Sequence, residues 1–192
     1  MKEIDIEKEK IIDLRKQKLL YFIGFFSISI IGTLLHFLFD FSGKSLFIAP
    51  FSAINESVWE HLKIAVIPIM FWTILEFTLL KFRRDNLWTS LLVKVVTVML
   101  SIILLYCISI AVLGGHNLWV SISIFYFSIL LSQILGYKVV TGKRVSIKFE
   151  EISKYIVIFI FLLFVIFTFI PPKFNIFKDE VTSTYGVFEF KY

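Results

Sequence analysis

The sequence predicts an all-α protein, a polytopic membrane helix bundle of about five transmembrane helices. Three observations carry this. The chain has 192 residues, of which 58% are hydrophobic and 18% charged, with 23 Phe and a mean hydropathy of +0.85. An average soluble domain is roughly half apolar and a quarter charged, so the solvent implied here is lipid. Five apolar stretches, near 19–39, 57–80, 87–113, 117–137 and 153–170, are long enough to cross a ~30 Å hydrocarbon core, which takes about 20 helical residues. No alternating pattern suggests a barrel, and backbone groups in lipid must be satisfied internally, so the spans are helices.

Each break between spans has a local cause. Asp40-Phe41-Ser42-Gly43 ends the first. The charged run Lys81-Phe82-Arg83-Arg84-Asp85-Asn86 separates the second from the third. Gly114-Gly115-His116-Asn117 makes a tight turn before the fourth. A polar segment from Lys138 to Ile152 precedes the fifth, and Pro171-Pro172 stops it, because proline lacks the N–H that continues a helix. Residues 1–18 mix Glu and Lys with Ile4, Ile11 and Leu14 at helical spacing. They read either as an amphipathic cytoplasmic tail lying on the membrane or as a solvated one. Residues 19–170 form the transmembrane domain. Residues 171–192 are a tail expected to pack over the outer face.

The net charge of +5 suggests nucleic acid in a soluble protein; here its location matters instead. Fourteen Lys and Arg fall in the N-terminal tail and the second and fourth connections, against four in the first and third connections and the C-terminal tail. The positive-inside rule then puts the N-terminus in the cytoplasm and the C-terminus outside, in a multi-pass protein of the cell membrane. A first span this long, with no small-residue cleavage site after it, reads as an anchor rather than a signal peptide. The single Cys107 lies in an apolar run and excludes an intrachain disulfide or a Cys-based zinc motif.

Ionisable groups in spans are costly and mark sites to be explained. Glu76 and Lys94 lie toward the inner ends of the second and third spans, at depths that allow an ion pair, with Lys94 snorkelling. The outer side is richer. His36 and Asp40 share a face at the end of the first helix, four residues apart. Asn55-Glu56-Ser57-Val58-Trp59-Glu60-His61-Leu62-Lys63 opens the second helix from that side, and His116 and Asn117 lie in the third turn. All three histidines of the chain therefore map to one membrane surface.

Part of this segment has a structural account. Ser57-x-x-Glu60 is a capping box, Glu56 suits a helix N-terminus, and Trp59 and Trp119 suit an interfacial aromatic belt. Capping does not account for Glu56, Glu60, His61 and Lys63 together. Imidazoles and carboxylates are ligands for zinc or another divalent metal, and three protein ligands plus water make a catalytic centre. On that reading His36, His61 and His116 are the ligands. Glu60 or Asp40 is the general base, and Lys63 stabilises developing negative charge. Asn55, Glu56, Ser57, Asn117 and Tyr185 surround the site or contact substrate. The alternative is a hydrogen-bonded polar cluster that ties helix ends together.

His36-Phe37-x-x-Asp40, the Asn55–Lys63 stretch, and the tail pattern Pro171-Pro172 … Asp179 … Thr182-x-Thr184-Tyr185-Gly186 resemble an uncharacterised family of small multi-pass bacterial membrane proteins, mainly from Gram-positive anaerobes. The resemblance spans nearly the whole chain and implies membership without a chemistry. A weaker similarity, to seven-helix membrane hydrolases that hold zinc with three histidines, lacks their His-x-x-x-His pair and two of their spans.

Four functions follow as expectations. The first is a metal-dependent hydrolase acting on lipid or envelope substrate. The second is a small transporter using Glu76 and Lys94. The third is a non-enzymatic membrane binding or assembly protein, and the fourth a haem protein. The lipid bilayer is the expected partner, and nucleic acid is not.

Overall fold

A computed structural model describes residues 2–79, 85–115 and 117–189, with side chains from Leu14 onward. The elements are α1 (Lys2–Phe41), α2 (Val58–Leu79), α3 (Leu87–Leu113), α4 (Leu118–Thr141) and α5 (Ile147–Phe169), followed by one 3₁₀ turn at Asn175–Phe177. Among the described residues, all five α-helices are long and apolar enough to cross a membrane. These residues form no strand beyond a single antiparallel bridge, Lys178 with Tyr185.

Two boundaries differ most from the sequence reading. No Gly or Pro interrupts residues 2–23, and α1 runs unbroken from Lys2 into the first span. The fifth helix starts six residues before the expected 153, because Ser146 caps it by accepting from the Phe149 N–H at 3.2 Å. The charged residues of its first two turns hid that start. One of them, Glu150, reaches across to α3 and accepts from Trp88 N at 2.6 Å and Thr89 N at 3.0 Å. A carboxylate there satisfies orphan donors and suits the positive helix end. The α3 residue that would ordinarily cap, Asn86, is turned away; its side chain binds Val139 O, Lys143 O and Val145 N.

The helices form a ring in chain order, α1 against α2, α2 against α3, α3 against α4 and α4 back against α1, with α5 packed on α3. α2 is the most enclosed, with a buried run from Leu62 to Met70. Large apolar side chains on the other helices face outward, as lipid contact requires. Close approach depends on small residues spaced to face one way. A Cβ on Gly32 would lie 2.7 Å from Ile64 O, the carbonyl whose helical partner Pro68 cannot supply. A Cβ on Gly24 would lie 2.5 Å from the Trp72 indole.

Two buried ion pairs anchor this core. Lys94 donates to Glu76 at 2.8 Å and Thr73 Oγ1 at 3.0 Å, and its ammonium lies 4.4 Å from the Tyr21 ring centre. The expected pair therefore exists, but Lys94 is wholly buried rather than snorkelling. Lys63 donates to Glu60 at 2.5 Å, Ala49 O at 2.8 Å and Thr168 Oγ1 at 2.9 Å.

The tail folds back over the end of the bundle where α1 finishes and α2 begins, here called the tail end. Trp59 is buried against Phe164, Phe177 and Phe167, with ring centres 4.5, 4.8 and 5.5 Å away. That corrects its expected place in an interfacial belt: the returning tail covers it. Trp119 is exposed. Val187 N donates to Thr168 O at 3.1 Å, which closes the tail onto α5. Gly186, at φ 59, lets this turn pass Pro171, whose Cδ would lie 2.7 Å from an added Cβ.

Candidate metal centre

His36 sits one turn before the end of α1, and the loop after α1 fixes that turn. The Ser52 hydroxyl accepts from Phe39 N at 2.9 Å and donates to Leu35 O, a carbonyl that also accepts from Ala53 N at 3.3 Å. His61 lies in the first turn of α2. Its Nδ1–H donates to Ser57 O at 2.9 Å. A carbonyl can only accept, so in the neutral ring the free lone pair is on Nε2. Ser57 is itself held by Asn55 Oδ1, which accepts from Ser57 N at 3.0 Å, while Ser57 Oγ accepts from Glu60 N at 3.4 Å. The capping box is thus half formed: the Glu60 carboxylate accepts from Ile54 N, at 3.1 Å, instead of from the cap residue.

These constraints aim three ligand atoms at one point. His36 Nε2 lies 3.2 Å from His61 Nε2 and 3.7 Å from Glu56 Oε2, and His61 Nε2 lies 3.5 Å from that same oxygen. The point equidistant from three atoms so spaced is about 2.0 Å from each, the usual length of a bond from zinc to an imidazole nitrogen or a carboxylate oxygen. Three protein ligands would leave a further position for water or substrate. The Ser57 carbonyl supplies the outer hydrogen bond that orients a metal-bound imidazole. All three side chains are partly exposed, at 26% for His36, 35% for His61 and 48% for Glu56, so solvent reaches the group. Among the described residues, this is the one set of three His, Cys, Asp or Glu side chains whose geometry would hold a metal ion.

The other residues singled out from sequence fall in several places. His116 lies outside the described residues. Asp40 lines a recess of about 160 Å³ together with His36, Glu56 and Asn55. Glu60 and Lys63 are buried and committed to each other, and the structure does not bring them to the histidines. All three ammonium donors of Lys63 have partners. Asn117 caps α4, accepting from Trp119 N at 3.0 Å and Val120 N at 3.2 Å. Tyr185 packs on the core beneath the tail.

Sequence reasoning missed the residues that the tail and α3 bring to the site. Asp179 is buried; it accepts from Glu56 N at 3.1 Å and from Thr182 N at 3.1 Å, pinning the tail to the loop that carries Glu56. Glu180 accepts a hydrogen bond from the Tyr106 hydroxyl of α3. The adjacent acids Asp179 and Glu180 in the tail, and a Tyr in an apolar helix, were the available signals. On the α3 side of His61 and Glu56, the tail, α2, α3 and α4 enclose a larger cavity of about 340 Å³.

A family of unknown function (DUF6512) matches residues 8–187, and the chain belongs to that family. Neither the curated proteins nor the solved structures gave a match.

Proposed function

We propose that this DUF6512 member is a metal-dependent hydrolase of the cell membrane, with its site at the extracytoplasmic face. The observation that carries the reading is the common 2.0 Å reach, to about a tenth of an ångström or two, of His36 Nε2, His61 Nε2 and Glu56 Oε2. Two histidines and a glutamate would hold zinc with an open position, and a divalent ion held there would supply a water of lowered pKa as nucleophile. Asp40, which lines the recess with His36 and Glu56, would take the water's proton. Water oxygen adds to the substrate's carbonyl or phosphoryl centre, the bond to the leaving group breaks, and the proton passes to that group. Orientation rests on the fourteen-to-four asymmetry of Lys and Arg.

The carrier reading is weaker. Lys94 and Glu76 form a closed pair, and neither lines a cavity that contains His61. Elemental analysis after purification without chelator tests the proposal. One zinc, manganese or iron per chain is expected, lost in His61→Ala and in Glu56→Ala. Metal-free protein that also takes up none on dialysis against zinc would remove it. Hydrolysis of a chromogenic ester or phosphodiester, abolished by chelator and restored by zinc, is the second expected result.

A further inference from the structure

The cavity beside the histidines has a direction. Its polar end is formed by Glu56 and by His61, three residues into α2. Its other end is apolar, walled by Ile102, Ile124 and Phe125. At ~1.5 Å per residue, Ile102 lies about 16 Å below the end of α3 at Leu113, and Phe125 about 10 Å below the start of α4 at Leu118. His61, by the same rise, is only about 4.5 Å from the start of α2. By that rise the cavity runs from headgroup depth into hydrocarbon depth; Ser121, Tyr106 and Glu180 add polar groups along its wall, and Ile102, the deepest of its α3 residues, is apolar. Its volume of about 340 Å³ is at the small end for a ligand site, enough for one chain rather than two. The tail contributes Val181 and Glu180 to its wall, and Tyr106 of α3 donates to Glu180.

We infer that this cavity takes a single acyl chain, with the carbonyl or phosphoryl group that joins it to its head placed at His61 and Glu56. The inference rests on the metal-hydrolase reading for the identity of the reacting group, and assigns a lipid as the substrate class. Amphiphiles with one chain in the cavity and the head at the ligand plane satisfy both ends. A compact water-soluble substrate would leave the deep apolar wall unused.

The test is photolabelling of the full chain in nanodiscs with dodecanoyl hydroxamate carrying a diazirine near its methyl end. Zinc content is measured in parallel. Adducts are expected on Ile102, Ile124 and Phe125. In Ile124→Trp, which fills the cavity, they should fall about tenfold, or ~1.4 kcal/mol, while zinc content stays unchanged. Adducts confined to the lipid-facing Leu104 and Ile108 of α3 in the wild-type chain would overturn the inference, whether or not the Trp variant folds. Zinc present with no cavity adduct removes the acyl site and keeps the metal. Cavity adducts without zinc keep the acyl site and remove the metal.

Discussion

Lys94 with Glu76, and His61 with Glu56 and His36, both bring together ionisable residues of α1–α3 or of the loop before α2, yet they are built on opposite rules. In the first, a cation meets an anion at 2.8 Å with both fully buried, and Thr73 and the Tyr21 ring take up the remaining ammonium faces. Charge is balanced within the protein and the ammonium donors are taken up, while Glu76 Oε1 is buried without a hydrogen bond. In the second, two ring nitrogens and a carboxylate oxygen converge within 3.7 Å of one another, and in the neutral His61 ring the converging nitrogen is the acceptor. These atoms are all of the kinds that bind a metal ion, and their side chains are partly exposed rather than sealed in the core. Glu60–Lys63 follows the first rule, although its residues alternate along α2 with those of the second. The difference teaches that a charged residue in a span is not by itself a sign of chemistry. A set of ligand atoms that converges on one point is the more informative one.

The sharpest way to break this contrast is to open the closed pair. Lys94→Met leaves Glu76 buried without a cation and should cost about 3–5 kcal/mol, the loss seen when one partner of a buried pair is removed. Thermal unfolding in detergent reads it. Adding Glu76→Leu to the same chain should recover most of the loss, since an apolar replacement of both partners is often neutral. No recovery in the double variant would mean that Lys94 matters for packing rather than for charge balance.

The open group should respond in the reverse sense, to an added ion. Zinc at a hundred times its Kd should stabilise the wild-type chain by about 2.7 kcal/mol. His61→Ala should show no such increase. An equal rise in both would place zinc binding elsewhere and leave the His36–Glu56–His61 group as a plain hydrogen-bonded cluster.

How much of this was legible beforehand follows from the kind of interaction. The five spans were, because apolar length is a local property; Leu87–Leu113 matches the expected boundaries without a shift. His36 and His61 were legible as candidates because helix direction alone puts both at one end. Glu56 as their third partner was not. Its position depends on a loop whose path is fixed by Ser52 against Leu35 and Phe39, and by Asp179 against Glu56 N. Those contacts join residues 13 to 123 positions apart, and no periodicity encodes them. Glu60 and Lys63 show the opposite limit. Their spacing of three marked them as neighbours, but which side of α2 faced Thr168 of α5 was set by packing.

A smaller effect tests the steric side of the closed pair. A Cβ at Gly136 would come 2.5 Å from Lys94 Cγ, so Gly136→Ala should cost about 1–3 kcal/mol through displacement of the lysine stem. The penalty should largely vanish in the Lys94→Met, Glu76→Leu background, where the flexible Met can yield. Full persistence there would locate the clash on the α4 backbone instead.

The smallest expected change in stability is the one that separates the two rules most cleanly. Glu56 is 48% exposed, and exposed pairs contribute about 0–1 kcal/mol. Glu56→Gln should therefore leave the unfolding temperature without added metal almost unmoved, unlike any change to Lys94 or Lys63. The amide keeps the shape of the side chain but gives up the negative charge that a divalent ion needs. Zinc should then bind at least about a hundredfold more weakly, beyond the 10- to 100-fold typical of losing an outer partner. The zinc-dependent rise in stability should disappear with it. A large loss of stability in the metal-free variant would show that Glu56 serves the fold as Glu60 does, and the distinction between open and closed groups would fail at the residue on which it depends most.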